Sequence, residues 1–146
     1  MIDFIGRYTW EEICREWTLR AGALGKLPVQ PDRVGSVWNA QAQVDVAAVN
    51  SREKSLILGE CKWMLSPGDR KVMAELAQEK ASLVVPEQGT WKVFFLGFSR
   101  SGWASGARAY EKEINQNPVQ GANWASVGMK LLTLENLDLD LARWTK

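Results

Sequence analysis

Two short apolar segments carry charge in an alternating pattern that few local structures accommodate. Gln43-Val44-Asp45-Val46 and, across a polar turn, Leu58-Gly59-Glu60-Cys61-Lys62-Trp63 both show the period-two pattern of β-strands. Successive side chains of a strand alternate faces, so Glu60 and Lys62 project to one side and Cys61 and Trp63 to the other. By the same rule Asp45 stands opposite both Val44 and Val46. An acid set in an apolar strand is costly unless something compensates it. Two readings account for the pattern: an ordinary cross-strand ion pair on a solvated sheet face, or acidic and basic groups gathered for chemistry.

The 146 residues suit one domain spanning 1–146, enough to bury a real core and too few for two full-sized units. With 46% hydrophobic and 24% charged residues and no low-complexity tract, the composition is that of an ordered globular chain. A formal charge of +1 gives no global attraction to polyanions, so any nucleic-acid contact must come from a local basic surface. The longest apolar run, Val93 to Phe98, is far short of a bilayer span, and the N-terminus lacks a basic-then-apolar signal pattern. No membrane association and a cytoplasmic location are therefore expected. Cys14 and Cys61 have no paired metal-binding spacing and read as reduced packing residues. The chain has no histidine, which removes histidine-based triads, zinc hydrolase sites and histidine-metal nucleases together. Carboxylates and lysine must carry any catalysis.

Along the chain, Tyr8 to Arg20 reads as a helix with Thr9 as N-cap and a stripe of Trp10, Ile13, Cys14, Trp17, Ala21 and Leu24. Glu12 falls opposite that stripe. Glu11 lies at its border, roughly 100° round from Trp10, within reach of a sheet. After a Pro28/Pro31 loop, Arg33 to Asn50 reads as two strands meeting near Asn39-Ala40, and Lys54 to Trp63 as a third. Pro67, after Ser66, opens a second helix with Val72, Met73, Leu76, Ala77, Leu83 and Val84 on its apolar side. Trp91 to Phe98 is a buried strand, Trp103 to about Asn115 a helix, Val127 to Leu134 a strand, and Glu135 to Trp144 a terminal helix. The expected architecture is α/β, a mixed sheet covered by helices.

An acid on the first helix, an acid on the second strand and an acid-x-lysine on the third together resemble the PD-(D/E)xK nuclease superfamily. The opening Gly6-Arg7-Tyr8-Thr9-Trp10-Glu11-Glu12-Ile13 is similar to that of Mrr-type restriction endonucleases. Trp10-Glu11-Glu12, Gln43-Val44-Asp45, Gly59-Glu60-Cys61-Lys62-Trp63 and Phe98-Ser99-Arg100-Ser101-Gly102-Trp103 resemble the C-terminal nuclease-like domain of uncharacterised archaeal and bacterial AAA-type ATPases. Gln43 departs from that pattern, in which relatives often carry glutamate. No Gly-x-x-x-x-Gly-Lys-Ser/Thr phosphate loop is present in these residues, so an ATPase would be another domain or subunit.

The resemblance implies a restriction-endonuclease-like mixed central sheet flanked by helices, with metal-dependent hydrolysis of DNA phosphodiesters as its activity. It implies magnesium or manganese held by Asp45, Glu60 and the backbone carbonyl of Cys61, with Lys62 orienting water and steadying phosphate charge and Glu11 as an auxiliary acid. A homodimer that cuts both strands is an arrangement seen in this superfamily, although no apolar patch in the sequence calls for one. RNA remains an open alternative substrate. A different class of reading is a catalytically inactive nuclease-fold module that serves an ATPase system by interaction or regulation. Gln43, the low net charge and the lack of a basic tract favour it.

Softer features have plain alternatives. Ser99-Arg100-Ser101-Gly102 offers amides and a guanidinium to a phosphate, or is simply an N-capping turn with a solvated arginine. Pro67-Gly68-Asp69-Arg70-Lys71 offers basic groups to a nucleic-acid backbone but reads more simply as a solvated helix start. Of eight tryptophans, Trp10, Trp17, Trp63 and Trp91 are expected in the core, whereas Trp38, Trp103 and Trp124 are candidates for surface roles.

Overall fold

A computed structural model of the chain describes residues 2–38 and 41–144, with side chains for 9–36 and 41–144. The elements are α1 (Ile2–Ala23), β1 (Arg33–Trp38), β2 (Gln43–Asn50), β3 (Ser55–Lys62), α2 (Arg70–Glu75), a π-helical turn (Leu76–Lys80), α3 (Ala81–Val84), β4 (Trp91–Ser99), α4 (Ser105–Gln116), β5 (Trp124–Thr133) and α5 (Leu134–Trp144). The five strands form one mixed sheet in sequence order. β1, β2 and β3 pair antiparallel, and β3, β4 and β5 pair parallel. The expected α/β architecture and order of elements are therefore observed.

Helices cover both faces. Met73, Leu76, Ala107, Tyr110 and Ile114 pack on one side of the sheet against Leu56, Leu58, Val93 and Phe95. Trp10, Cys14, Trp17 and Leu137, from α1 and α5, pack on the other against Val46, Ile57, Leu96 and Phe98. β3 lies in the middle and is buried from Ser55 to Cys61, which is why Leu56-Ile57-Leu58 reads as a continuous apolar run. No helix among the described residues is long and apolar enough to cross a membrane.

Several boundaries differ from expectation. α1 begins by Ile2, so Thr9 lies inside the helix instead of capping it. No proline interrupts the preceding residues, and extending a helix is far easier than nucleating one. Leu24 falls beyond the helix and is exposed. There Gly25 takes φ 72°, with Lys26 N–H bonded to Ala21 O at 2.9 Å and Gly25 N–H to Gly22 O at 3.1 Å. This pairing of bonds around a left-handed glycine ends the helix.

α2 starts at Arg70 rather than Pro67, because the Asp69 carboxylate accepts from Val72 N–H at 3.2 Å and supplies the cap. Gly68 is engaged elsewhere: its N–H bonds Gly102 O at 2.9 Å and its carbonyl accepts from Ala104 N–H at 2.8 Å. Trp124, expected at the surface, is buried with its ring edge-on to Phe95 at 6.0 Å and its Nε1 donating to Ser82 Oγ at 3.0 Å. Trp103 is half-buried and donates to Leu132 O at 2.9 Å. Trp63, expected in the core, is half-buried. The Asn39-Ala40 turn and the side chain of Trp38 lie outside the described residues.

Candidate active site where two strands part

The site is built by an irregularity in β2. Gly35 pairs with Ala47 and Val37 with Val44, so Asp45 and Val46 together face Ser36 alone. An extra residue of this kind bends a strand and re-aims its side chains. Val44 consequently packs with the α2–α4 layer and Val46 with the α1 layer. Simple alternation, which would put these two valines on one face, fails here.

Pairing between β2 and β3 runs only as far as Val46 and Gly59. Past that point the Cys61 N–H donates to Oδ2 of Asp45 at 2.9 Å. The aspartate thus takes over a bond that a regular ladder would give to a backbone carbonyl. Arg15 of α1 secures the same place by donating from Nη1 to the Asp45 carbonyl at 3.1 Å.

The wedge between the strands is a cleft of about 340 Å³. Glu11, Gln43, Asp45, Glu60, Lys62 and Lys80 line it, with Cys61, Trp63 and Met64 beside them. The structure therefore brings together Glu11, Asp45, Glu60 and Lys62, the four side chains singled out from the sequence. Glu12 is exposed, as its position opposite the stripe requires.

Glu60 is the most unusual group in the cleft. Its side chain is 5% exposed, and Lys80 Nζ donates to its Oε1 at 2.5 Å. Burial pushes its carboxyl up to about 7, and the charge of Asp45 and a hydrogen bond with Asp45 push the same way, while Lys80 pulls it back. Desolvation and a like charge both disfavour the ionised form, whereas an ammonium favours it. Asp45 and Glu60 are thus close enough to interact directly. On the opposite face of β3, Cys14 and Cys61 are buried free thiols that share a hydrogen bond, and burial raises both.

Lys80 and Arg15 were not anticipated. Lys80 lies three residues after Ala77 and four after Leu76, on the apolar side of its helix. A lysine on an apolar stripe is a legible signal of a buried partner. Arg15 carried no such signal, because its bond goes to a backbone carbonyl.

The soft features resolve structurally. Ser99-Arg100-Ser101-Gly102 is not an N-cap: α4 is entered through Ala104 without a side-chain bond. Arg100 lies 4.4 Å over the Trp63 ring, and Ser101 Oγ donates to Met64 O at 2.6 Å. Together with the Gly68 bonds, these contacts tie the segment after β3 to the segment after β4. Arg70 sits over the Tyr110 ring at 4.6 Å.

The donor set suits a hard divalent cation, since two interacting carboxylates on adjacent strands present oxygen, with Glu11 and Gln43 on the same walls. Among the described residues no trio of His, Cys, Asp or Glu side chains stands at ligating range. Magnesium commonly takes one or two carboxylates and keeps several waters, so a pair is an adequate protein contribution.

Fold and site together define a mixed α/β protein with an acidic, lysine-flanked cleft between two parting strands. The chain belongs to the DUF234 family, archaeal and bacterial proteins of unknown function, which it matches over residues 2–75. That span carries Glu11, Asp45, Glu60 and Lys62 and ends before Lys80. No curated protein and no solved structure matches the chain.

Proposed function

We propose that the cleft is the active site of a metal-dependent nuclease of PD-(D/E)xK type that hydrolyses DNA phosphodiesters, working with an AAA-type ATPase domain or subunit. The observation that carries this reading is the direct interaction of Asp45 with a buried Glu60, in a cleft that Lys62 also lines. Placing two carboxylates together in a poorly solvated site is unfavourable for folding alone, and such arrangements cluster where chemistry needs them. A divalent ion bound there would supply a nucleophilic water at neutral pH and stabilise charge on the phosphate.

In this reading Asp45 and Glu60 hold magnesium or manganese, with the Cys61 carbonyl as a further oxygen. Lys62 orients the attacking water and neutralises phosphate charge. Glu11 positions a ligand or supports a second ion. The Cys61 amide and the Arg15 guanidinium fix Asp45 from two sides, so the carboxylate is held before substrate arrives.

A second reading, a nuclease-fold module without turnover, draws on one observation. Both acids already have partners in the chain, Asp45 the Cys61 amide and Glu60 the Lys80 ammonium. Calorimetric titration of magnesium or manganese into the parent and the Asp45→Ala/Glu60→Ala variant, with plasmid nicking in the same buffer, separates the two. Binding and nicking that both disappear in the variant support the nuclease. A parent that neither binds nor nicks would leave the interaction module.

A further inference from the structure

Lys80 stands where a lysine is hard to keep. It closes the π-helical turn Leu76–Lys80, between the buried residues Leu76, Ala77 and Ala81. Its side chain is 29% exposed, and its ammonium lies 2.5 Å from Oε1 of a glutamate that is 5% exposed. Departures from regular α-helix of this kind recur at functional sites, where they re-aim a side chain. The contact is unlike the surface ion pairs of this chain. Arg20–Glu16, Arg70–Glu113 and Lys71–Glu75 all have both partners at least 39% exposed, and such pairs contribute little.

We infer that Lys80 is a resident counter-cation of the acidic pair, competing with a divalent ion for Glu60. This rests on the metal-site reading above and concerns how that site is regulated. The ammonium occupies a direction from which a cation would approach Oε1, and two positive charges cannot share that lone pair at ligating distance. Metal ligation through that direction on Oε1 therefore requires Lys80 to swing away, and the affinity measured for the metal is lowered by the free energy of breaking the pair. The lysine has a four-carbon flexible stem and reaches the cleft, so the exchange needs no movement of the sheet.

The inference predicts an effect opposite in sign to that of a supporting residue. Removing a side chain that merely props up a metal site weakens metal binding. Removing a competing cation tightens it. The test is calorimetric titration of magnesium into parent, Lys80→Met and Lys80→Arg proteins at about pH 8 and again at about pH 9, because loss of Lys80 also strengthens the hold of Glu60 on its proton and the higher pH removes that competition. Circular dichroism first verifies that each is folded, with Lys80→Gln replacing the methionine variant if that one is not. The expected result is binding at least about tenfold tighter in Lys80→Met, from loss of a nearby like charge, and parent-like binding in Lys80→Arg. Equal or weaker binding by Lys80→Met, with the parent binding normally, overturns the competition and leaves the metal site standing. No binding by any of the proteins overturns the metal site itself, and the competition with it.

Discussion

The backbone amide of Cys61 is satisfied by the side chain of Asp45, at 2.9 Å, at the point where β2 and β3 have ceased to pair. Asp45 therefore has a structural duty besides any chemical one. Asp45→Ala leaves a buried donor without a partner, at a cost of about 1–3 kcal/mol, partly offset by relief of the repulsion on Glu60. Asp45→Asn keeps an acceptor oxygen in the same place. In chelator, urea unfolding should find the alanine variant less stable than the asparagine variant by roughly 1–3 kcal/mol. Both should lose metal binding. Equal stability of the two would show that the Cys61 amide does not depend on this carboxylate.

Glu60 makes stability depend on pH in an uncommon direction. Its carboxyl is raised to about 7 from 4.5, chiefly by burial, then by Asp45, against the pull of Lys80. The folded chain holds this proton more tightly than the unfolded chain. The resulting contribution is fully present below the unfolded value of 4.5 and is lost as pH rises through about 7. By linkage it amounts to about 3 kcal/mol. Glu60→Gln is neutral throughout, so its stability relative to the parent should improve by about that amount across this window in metal-free buffer. A constant gap between the two proteins from acid to neutral pH would contradict the raised carboxyl.

How far the site could be read from the sequence follows from which forces set each part. Asp45, Glu60 and Lys62 were legible because a charged side chain in an apolar strand violates the pattern around it. The strands and helices were legible because burial on both faces of β3 and β4 imposes long apolar runs. The irregularity at Asp45-Val46 was not, since Val44-Asp45-Val46 is indistinguishable from regular alternation until its pairing with Ser36 is known. The start of α2 was misplaced because Pro67 is a good first helical residue by local rules, whereas a tertiary contact of Gly68 with Gly102 and Ala104 decides it. Trp124 was misassigned because its burial depends on Phe95, nearly thirty residues away in sequence. Lys80 carries a legible signal in its position on the apolar side of the π-helical turn, beside Leu76 and Ala77.

Cys14 and Cys61 approach each other across the α1–β3 interface, yet their surroundings argue for inertness. Burial is the largest cause of the raised thiol in each, and Asp45 and Glu11 add to it. The thiolate is the reactive form, so both should react with a soluble disulfide reagent only as fast as the chain opens. Native protein is expected to show almost no fast phase, and denatured protein two rapidly reacting thiols. A fast phase in the native state would mean that α1 separates readily from the sheet.

Gly97 pairs with Glu60 in the parallel β3–β4 ladder and leaves the space that the neighbouring side chains fill. A Cβ there would lie 2.7 Å from Leu131 Cδ2, 2.7 Å from the Trp103 ring and 2.8 Å from Met73 Sδ. Leu131 of β5, Met73 of α2 and Trp103 of the segment after β4 would have to give way together. Gly97→Ala is therefore expected to destabilise the fold by about 1–3 kcal/mol. It should also change tryptophan fluorescence by displacing Trp103, whose indole bonds Leu132 O and whose ring covers Gly68. Gly35 provides the control, because nothing lies within 4 Å of a Cβ built there. Gly35→Ala should be neutral or stabilising by a few tenths up to about 1 kcal/mol, since alanine restricts the unfolded chain more than glycine does. Thermal melts of the two variants should therefore move in different directions or by clearly unequal amounts. A Gly97→Ala protein that melts with the parent would mean that Trp103 and Met73 are free to yield, and that the packing joining the segments after β3 and β4 is looser than its distances indicate.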